Sequence, residues 1–141
     1  MAESRVKDTD LAYVAGLFDG DGCILFDKYS NALRIQIDNT NEFVSKWLSE
    51  KLEAHVIKYK SVNQKQMYQN RWYSRKAITL LKKILPFLKI KKEQAKIAIE
   101  LQELMSDSRT GRKFETLEYK RKKKELIAKL RSFSKKGVRN G

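Results

Sequence analysis

Residues 11–22 read LAYVAGLFDGDG, and the rest of the chain is organised around this stretch. Its apolar run predicts a short helix over about Leu11–Asp19, with Asp10 as a suitable N-cap. Gly20 and Gly22 follow, and glycine suits the unusual backbone geometry of a helix exit. The stretch therefore predicts a capped helix that ends among glycines.

The predicted helix has two unlike faces. Ala12, Gly16 and Gly20 recur at every fourth residue, so one face lacks side-chain bulk. Such a face lets a second backbone approach closely, an effect documented best for membrane helices. The opposite face is apolar and is expected to pack into a core, through Leu11, Val14, Leu17 and Phe18.

Two carboxylates, Asp19 and Asp21, stand at the end of this helix. The negative end of the helix dipole lies there and disfavours carboxylates. A cationic group is therefore expected to hold them.

Composition narrows the class of protein. At 141 residues with 41% hydrophobic residues, the chain is expected to form one domain with a real core and not to be disordered. Its net charge of +14 indicates a polyanionic partner, nucleic acid first and a membrane surface second. No run of 18 apolar residues is present, and the polar start MAESRVKDTD does not resemble a secretory signal, so an intracellular protein is expected.

The chain has one cysteine, Cys23, and one histidine, His55. Neither a disulfide within the chain nor a zinc site can be built from this set, and Cys–His nucleophilic chemistry is not expected. Any metal would have to bind oxygen ligands, which favours magnesium-like ions.

Hydrophobic patterning predicts an α+β fold in the order α-β-β-α-β-β-α followed by two more helices, with two hairpins forming one four-stranded antiparallel sheet. The predicted organisation is an arm at 1–9 and a core at 10–105, followed by a C-terminal helix at 114–133 and a flexible tail at 134–141. The strands are predicted near 23–29, 33–38, 55–61 and 64–74, and the helices after the first near 42–54, 77–85 and 92–105.

One face of this sheet is expected to be polar. In a chain of charge +14 it is interpreted as a groove for duplex DNA, because antiparallel ribbons fit the major groove and mixed polar side chains can read base edges. An ordinary solvated face is the alternative. The run KRKKKE at 120–125 is open to the same two readings, a solvated face or a phosphate contact. The candidate DNA-binding residues are Asp27, Tyr29, Arg34, Gln36, Asp38, Lys58, Lys60, Tyr68, Asn70 and Trp72.

Val14–Gly22, VAGLFDGDG, resembles the LAGLIDADG signature of homing endonucleases. Pro86–Ala95, PFLKIKKEQA, is similar to the segment that follows the last core helix in that family. The resemblance implies the family's αββαββα fold and a site-specific endonuclease that cuts each strand of double-stranded DNA once.

The resemblance also implies that the signature helix packs against the same helix of a second unit. Since the chain contains only one DGDG, the working form would be a homodimer on a long pseudo-palindromic site. Asp19 would cap or stiffen this interface. The implied interface residues are Ala12, Ala15, Gly16, Asp19 and Gly20.

In the same way, the resemblance assigns catalytic roles. Asp21 would bind the metal, with the backbone carbonyl of Gly20 completing the coordination. Mg²⁺ is the expected ion; Mn²⁺ or Ca²⁺ would occupy the same place, and Ca²⁺ would not support cleavage. Lys91 would act near the scissile phosphate, Asn41 near the attacking water, and Lys46 as a second basic residue.

Two other readings stay open at this point. One is an intron-RNA maturase or a non-cutting DNA-binding regulator on the same scaffold. The other is a basic structural protein of a ribosome or nucleoid, which explains the charge but not the acids beside a small-faced helix.

Overall fold

The structure, a computed structural model, describes residues 6–106 and 116–140. The order αββαββα followed by two helices confirms the predicted α+β class and the antiparallel sheet. In chain order the elements are α1 (Asp8–Asp21), β1 (Gly22–Asp27), β2 (Ala32–Asn39), α2 (Glu42–Leu52), β3 (His55–Lys60), β4 (Gln66–Tyr73), α3 (Ser74–Ile84), a short 3-10 helix (Leu85–Phe87), α4 (Lys92–Ser106) and α5 (Leu117–Asn140).

The sheet has the strand order β1-β2-β4-β3, and each neighbouring pair is antiparallel. Its two faces differ because alternate residues of a strand point in opposite directions. On β2, Leu33, Ile35 and Ile37 are fully buried on the face that packs on the helices, here called the inner face. The residues between them lie on the opposite, outer face: Arg34, Gln36 and Asp38.

The hydrophobic core lies between the inner face and the helices. Each fully buried large apolar side chain contributes roughly 1.5–3 kcal/mol relative to exposure, so this layer is the main source of stability. The core side chains from the helices include Val14, Phe18, Leu48, Leu81, Ile84, Ala95, Ala98, Leu101, Leu126 and Leu130.

The signature helix is longer than predicted at both ends. Its N-cap is Lys7, so the predicted N-cap at Asp10 is wrong by one turn. The Asp10 carboxylate instead accepts the Lys7 backbone N–H at 3.0 Å from within the first turn. α1 thus takes in residues that the sequence assigned to the arm.

The predicted role of the glycines at the helix exit is also wrong. Gly22 has φ −85° and ψ 162°, and no glycine among the described residues has a positive φ. Gly22 is required for steric reasons instead. A Cβ at this position would overlap the Phe18 ring, with two ring atoms at 2.6 Å.

The later elements follow the predictions closely. α3 ends before Pro86, which sits in the 3-10 helix, because proline cannot continue the hydrogen-bond ladder. α5 runs to Asn140, past the predicted end at Phe133. Residues 106–113, between the predicted core and the predicted C-terminal helix, lie almost wholly outside the described residues. None of the helices in the described ranges combines the length and apolarity needed to cross a bilayer.

The contact between Gly22 and Phe18 gives a test of the fold. Gly22→Ala should lower the free energy of unfolding by about 1–3 kcal/mol, because the buried Phe18 ring must move to make room. Gly20→Ala is the matched control, since its Cβ meets nothing within 4 Å and alanine favours the helix. Urea unfolding of dilute protein measures both. Equal stability of Gly22→Ala and the wild type would contradict the assigned packing.

Candidate active site and nucleic-acid interface

The Asp19 carboxylate holds the signature helix to the segment before α4. It accepts the backbone N–H groups of Lys89, Ile90 and Lys91 at 2.8, 3.1 and 2.9 Å. In the opposite direction, the Lys91 Nζ donates to the Asp19 carbonyl oxygen at 2.8 Å. The cationic partner expected at this helix end is therefore Lys91, together with three backbone dipoles.

The protonation of Asp19 follows from these contacts. Burial alone would raise the pKa of this carboxyl, but the three backbone N–H donors and the Lys91 ammonium outweigh it, so the pKa lies below its usual value. Asp19 thus stays charged while it fixes the backbone on both sides of the site. Its partners lie within the same chain, whereas the sequence placed it at a subunit interface.

Asp21 differs from Asp19 in having no partner. Its side chain is exposed and accepts no hydrogen bond from the described parts of the chain. Gly20, just before it, is also exposed, and its carbonyl is among the last four of α1, which lack intrahelical donors. The end of α1 therefore offers hard oxygen donors to solvent.

These donors fit a magnesium-like ion. Mg²⁺ typically binds through one or two carboxylates together with waters and substrate phosphates. Within residues 6–106 and 116–140, no group of three His, Cys, Asp or Glu side chains could hold a metal by itself. One chain thus supplies part of such a site, and the remaining ligands would have to come from outside it.

The start of β1, next to Asp21, lies among charged groups. Cys23 pairs with Gln36 across the strands, which puts it on the outer face. Burial, and then the Asp38 carboxylate, raise the pKa of the Cys23 thiol, while Lys91 and Arg34 act against them. Asp38 and Arg34, both predicted to contact DNA, and Lys91, predicted to be catalytic, are therefore close enough to Cys23 to influence the pKa of its thiol.

A polar network covers the outer face around Asp38. Its carboxylate accepts the Tyr59 hydroxyl at 2.6 Å, the Gln69 amide at 3.0 and 3.2 Å, and the Gln36 amide at 3.4 Å. Gln69 in turn accepts the Arg71 Nε–H. The hydrogen bond to Asp38, with burial and charge, raises the pKa of Tyr59 to about 12, so its phenol remains a donor at neutral pH.

Register explains which β4 residues join this face. Gln69, Arg71 and Tyr73 lie opposite the outward-facing residues of β2, and the Arg71 guanidinium donates to the Tyr73 hydroxyl at 3.2 Å. Sequence reasoning missed these three residues and Tyr59. The signal was available, since Arg71 is the most polar residue of its strand and alternation from it selects this set.

The sequence prediction for β4 therefore chose the wrong face. Tyr68, Asn70 and Trp72 point inward and are at most 9% exposed. The Trp72 indole N–H donates to the Leu52 carbonyl at 2.8 Å, and the Asn70 amide donates to the Ser45 carbonyl at 3.0 Å. These side chains are structural and cannot reach DNA.

The predicted lysines of β3 are on the wrong face as well. Lys58 and Lys60 pair with Tyr68 and Gln66, on the side of the sheet that faces the helices. Lys58 lines a groove beside α2 together with Lys46. Lys46, predicted to be catalytic, is therefore on the opposite side of the sheet from the outer-face network.

The remaining predicted residues fall at two places. Asn41 is the N-cap of α2, where its side chain accepts the Val44 N–H at 3.0 Å. Asp27 organises the β1–β2 turn by accepting the Tyr29 N–H at 2.9 Å, and this bond lowers the pKa of Asp27. Tyr29 is 94% exposed at the same turn.

The small face of α1 is open. Ala12, Gly16 and Gly20 are exposed, and a Cβ added at either glycine meets nothing within 4 Å. Ala15 is the exception among the predicted interface residues, because it is fully buried in the core of its own chain and cannot contact a partner.

Solved structures with this arrangement of elements are homing endonucleases. The archaeal intron-encoded I-Vdi141I, complexed with DNA, matches with a TM-score of 0.69 and 16% identity over 89% of this chain and 84% of that chain. I-CvuI, in complex with its target and calcium, matches with a TM-score of 0.66 and 19% identity over 87% of this chain and 80% of that chain. The chain has the homing-endonuclease fold.

A third structure with the homing-endonuclease fold is longer. I-SmaMI, bound to an uncleaved DNA target with calcium, matches with a TM-score of 0.58 and 19% identity, over 89% of this chain but 45% of that chain. No protein-family model and no curated protein sequence matches the chain. The likeness is thus carried by the fold rather than by overall sequence similarity.

The Asp19 contacts predict a pH-dependent contribution to stability. Asp19→Asn weakens three hydrogen bonds to a charged acceptor, so unfolding at pH 7 should become easier by about 1–3 kcal/mol. Because the folded pKa is lowered, this contribution is complete above the ordinary carboxyl pKa of about 3.9 and is lost as the pH falls through the folded value. The gap between wild type and variant should therefore narrow below about pH 4.

Urea unfolding at a series of pH values measures this gap. Asp8→Asn, which removes an exposed carboxylate from the first turn of the same helix, is the control and should give a much smaller difference at pH 7. An Asp19→Asn variant that matched the wild type at pH 7 would show that Asp19 does not hold the helix to the segment before α4.

Proposed function

We propose that the protein is a metal-dependent, site-specific endonuclease that cuts double-stranded DNA as a homodimer. The observation that carries the proposal is the position of Asp21, an exposed carboxylate without a partner in the described chain, at the point where α1 meets a polar, open sheet face. The homing-endonuclease fold supports it, and the solved neighbours I-CvuI and I-Vdi141I are complexes with DNA.

DNA recognition is assigned to the outer face of the sheet. Arginine and glutamine side chains can form paired hydrogen bonds to purine edges in the major groove, and Gln36 and Arg71 lie opposite each other there. Arg34 lies on the same face, opposite Tyr73 of β4. The net charge of +14 supplies attraction for the phosphate backbone.

The homodimer follows from the incompleteness of one chain. The open face of Ala12, Gly16 and Gly20 suits a second copy of α1, and a two-fold axis through that contact would bring two Asp21 side chains together. The match to only 45% of the I-SmaMI chain is consistent with this, since a chain of that length has room for two such units.

Asp21 and the Gly20 carbonyl would hold a divalent ion, with Mg²⁺ as the proposed cofactor and Mn²⁺ or Ca²⁺ able to occupy the same place. I-CvuI complexes with DNA were solved in the presence of Ca or of Mg. Such an ion neutralises charge on the scissile phosphate and lowers the pKa of bound water. The chain would act within the cell, where its DNA substrate lies.

Lys91 is the other proposed catalytic group. One of its ammonium protons is committed to the Asp19 carbonyl, which fixes the position of Nζ. The other two remain available to donate to a phosphate oxygen. Asn41 and Lys46 are weaker candidates for catalytic roles, because Asn41 caps α2 and Lys46 lies beside β3.

Removing the Asp21 charge tests the catalytic assignment. Asp21→Asn should reduce cleavage of a plasmid library carrying candidate sites by at least about 10²-fold, because the amide is a poor metal ligand. Duplex binding should survive, since Asp21 makes none of the proposed base contacts. Asp8→Asn, a change of equal charge in the first turn of α1, is the control and should leave cutting intact. Full cutting by Asp21→Asn would refute the assignment.

The dimer is tested separately through α1. Gly16→Leu adds bulk where one chain has open space, so the variant should fold normally but fail to associate. Sedimentation with bound duplex should then give one chain per complex, and cleavage should be lost. Thr79→Leu, at an exposed position of α3, controls for added surface hydrophobicity. A Gly16→Leu protein that still formed dimers would place the interface elsewhere.

A further inference from the structure

We propose that a basic groove between α5 and the end of β1 binds the DNA backbone outside the region covered by the sheet. The inference rests on the proposed function in one respect, that the partner is duplex DNA. The groove encloses about 400 Å³, and the residues that carry the argument are Phe26, Lys28, Lys120, Lys123, Lys124 and Arg131.

The groove is built by one face of α5. Lys120, Lys123, Lys124 and Arg131 follow a spacing of three, one and seven residues, so they lie along the same side of the helix. Leu126 and Leu130, on another side, are 3% exposed and anchor α5 in the core. From the sequence, the charge run at 120–125 could be either a solvated face or a phosphate contact. In the fold, Lys120, Lys123 and Lys124 of this run face β1.

Lys123 fixes the position of the groove. Its Nζ donates to the Asn31 Oδ1 at 2.7 Å and stands 5.9 Å from the centre of the Phe26 ring. Both contacts tie α5 to the β1–β2 hairpin. The cationic face is therefore held at a set place relative to the sheet.

The other cations of the groove are uncommitted. Within the described residues, Lys28, Lys120, Lys124 and Arg131 form no ion pair, and no acidic residue lines the groove. Other lysines of α5 are paired: Lys122 with Glu100 at 3.3 Å and Lys129 with Glu125 at 4.0 Å. Among the described residues, the groove side of α5 thus carries cations without ion pairs, whereas Lys122 and Lys129 on another side are paired.

Size and position fit a duplex. From Lys120 to Arg131 the helix advances roughly 16 Å, a length over which DNA presents about nine phosphate charges. β1 starts beside Asp21 and ends at the groove, about six residues or roughly 20 Å away. Because Phe26 pairs with the inward-facing Leu33, the groove opens on the helix side of β1. A duplex that lies across the outer face would therefore reach the groove only where it passes beyond the edge strand β1. In the proposed dimer, one groove would hold each flank.

The test compares two variants of equal charge on the same helix. Lys120→Gln/Lys124→Gln changes the groove, and Lys122→Gln/Lys129→Gln changes the paired lysines outside it. Binding of the full chain to a long mixed-sequence duplex is measured by fluorescence anisotropy over a salt series, without divalent ions. The groove variant should lower the slope of log affinity against log salt by about 2 per chain, whereas the control should lower it by less than about 1.

Lys28→Gln provides an independent check, because it removes a groove cation from a different element and should lower the slope by about 1. Equal effects of the groove and control variants would overturn the proposal, as would an unchanged slope in the groove variant. If the groove variant bound the duplex normally but no longer bound phosphatidylserine vesicles, the groove would be a membrane contact and the proposal would be overturned.

Failure of this inference is distinguishable from failure of the proposed function. Wild-type protein that cuts DNA while the groove variant keeps the full salt slope would refute the groove alone. A reduced slope in the groove variant, with no cutting by any form of the protein, would support the groove and refute the nuclease.

Discussion

The bond network at Asp19 is the constraint on which the site depends. A carboxylate at the C-terminal end of a helix faces an unfavourable dipole, and here three backbone N–H groups from 89–91 offset it. The same contact brings Lys91 to the helix end and fixes its ammonium on the Asp19 carbonyl. Because the backbone is held on both sides, Asp21 can project from a rigid position without any bond of its own. The two acids of DGDG therefore differ: Asp19 is bonded within the chain, and Asp21 is unbonded in the described chain, as the proposed metal site requires.

A second carboxylate organises the outer face in a comparable way. Asp38 accepts hydrogen bonds from Tyr59, Gln69 and Gln36, and Gln69 in turn accepts a hydrogen bond from Arg71. Long polar side chains lose entropy when a ligand orders them, so a face already held by its own bonds binds at lower entropic cost. The Tyr59 phenol donates to the Asp38 carboxylate, and this bond raises the pKa of Tyr59 to about 12. The fold thus preorganises the surface that is assigned to recognition.

The sequence predicted the fold well because alternation and helical spacing record burial directly. β2 is the clearest case, since Leu33, Ile35 and Ile37 alternate with polar residues and all three are buried. Prediction failed on β4 because Asn70 is buried, and its amide is satisfied by a carbonyl of α2 that no local pattern reveals. The partners of Asp19 were missed for a similar reason: they are backbone groups some 70 residues later, and backbone donors leave no mark in the residue types.

Charge and bonding together single out Asp21. In a chain of net charge +14, cations are available near most carboxylates. Three acids near the sheet accept hydrogen bonds. Asp19 and Asp27 accept backbone N–H groups, and Asp38 accepts three side chains. Asp21 alone among these four has no partner in the described chain. The Lys91 ammonium is nevertheless close by, because it is bound to the carbonyl of Asp19, two residues before Asp21. A carboxylate held at this place without a bond of its own is what the proposed metal site at Asp21 requires.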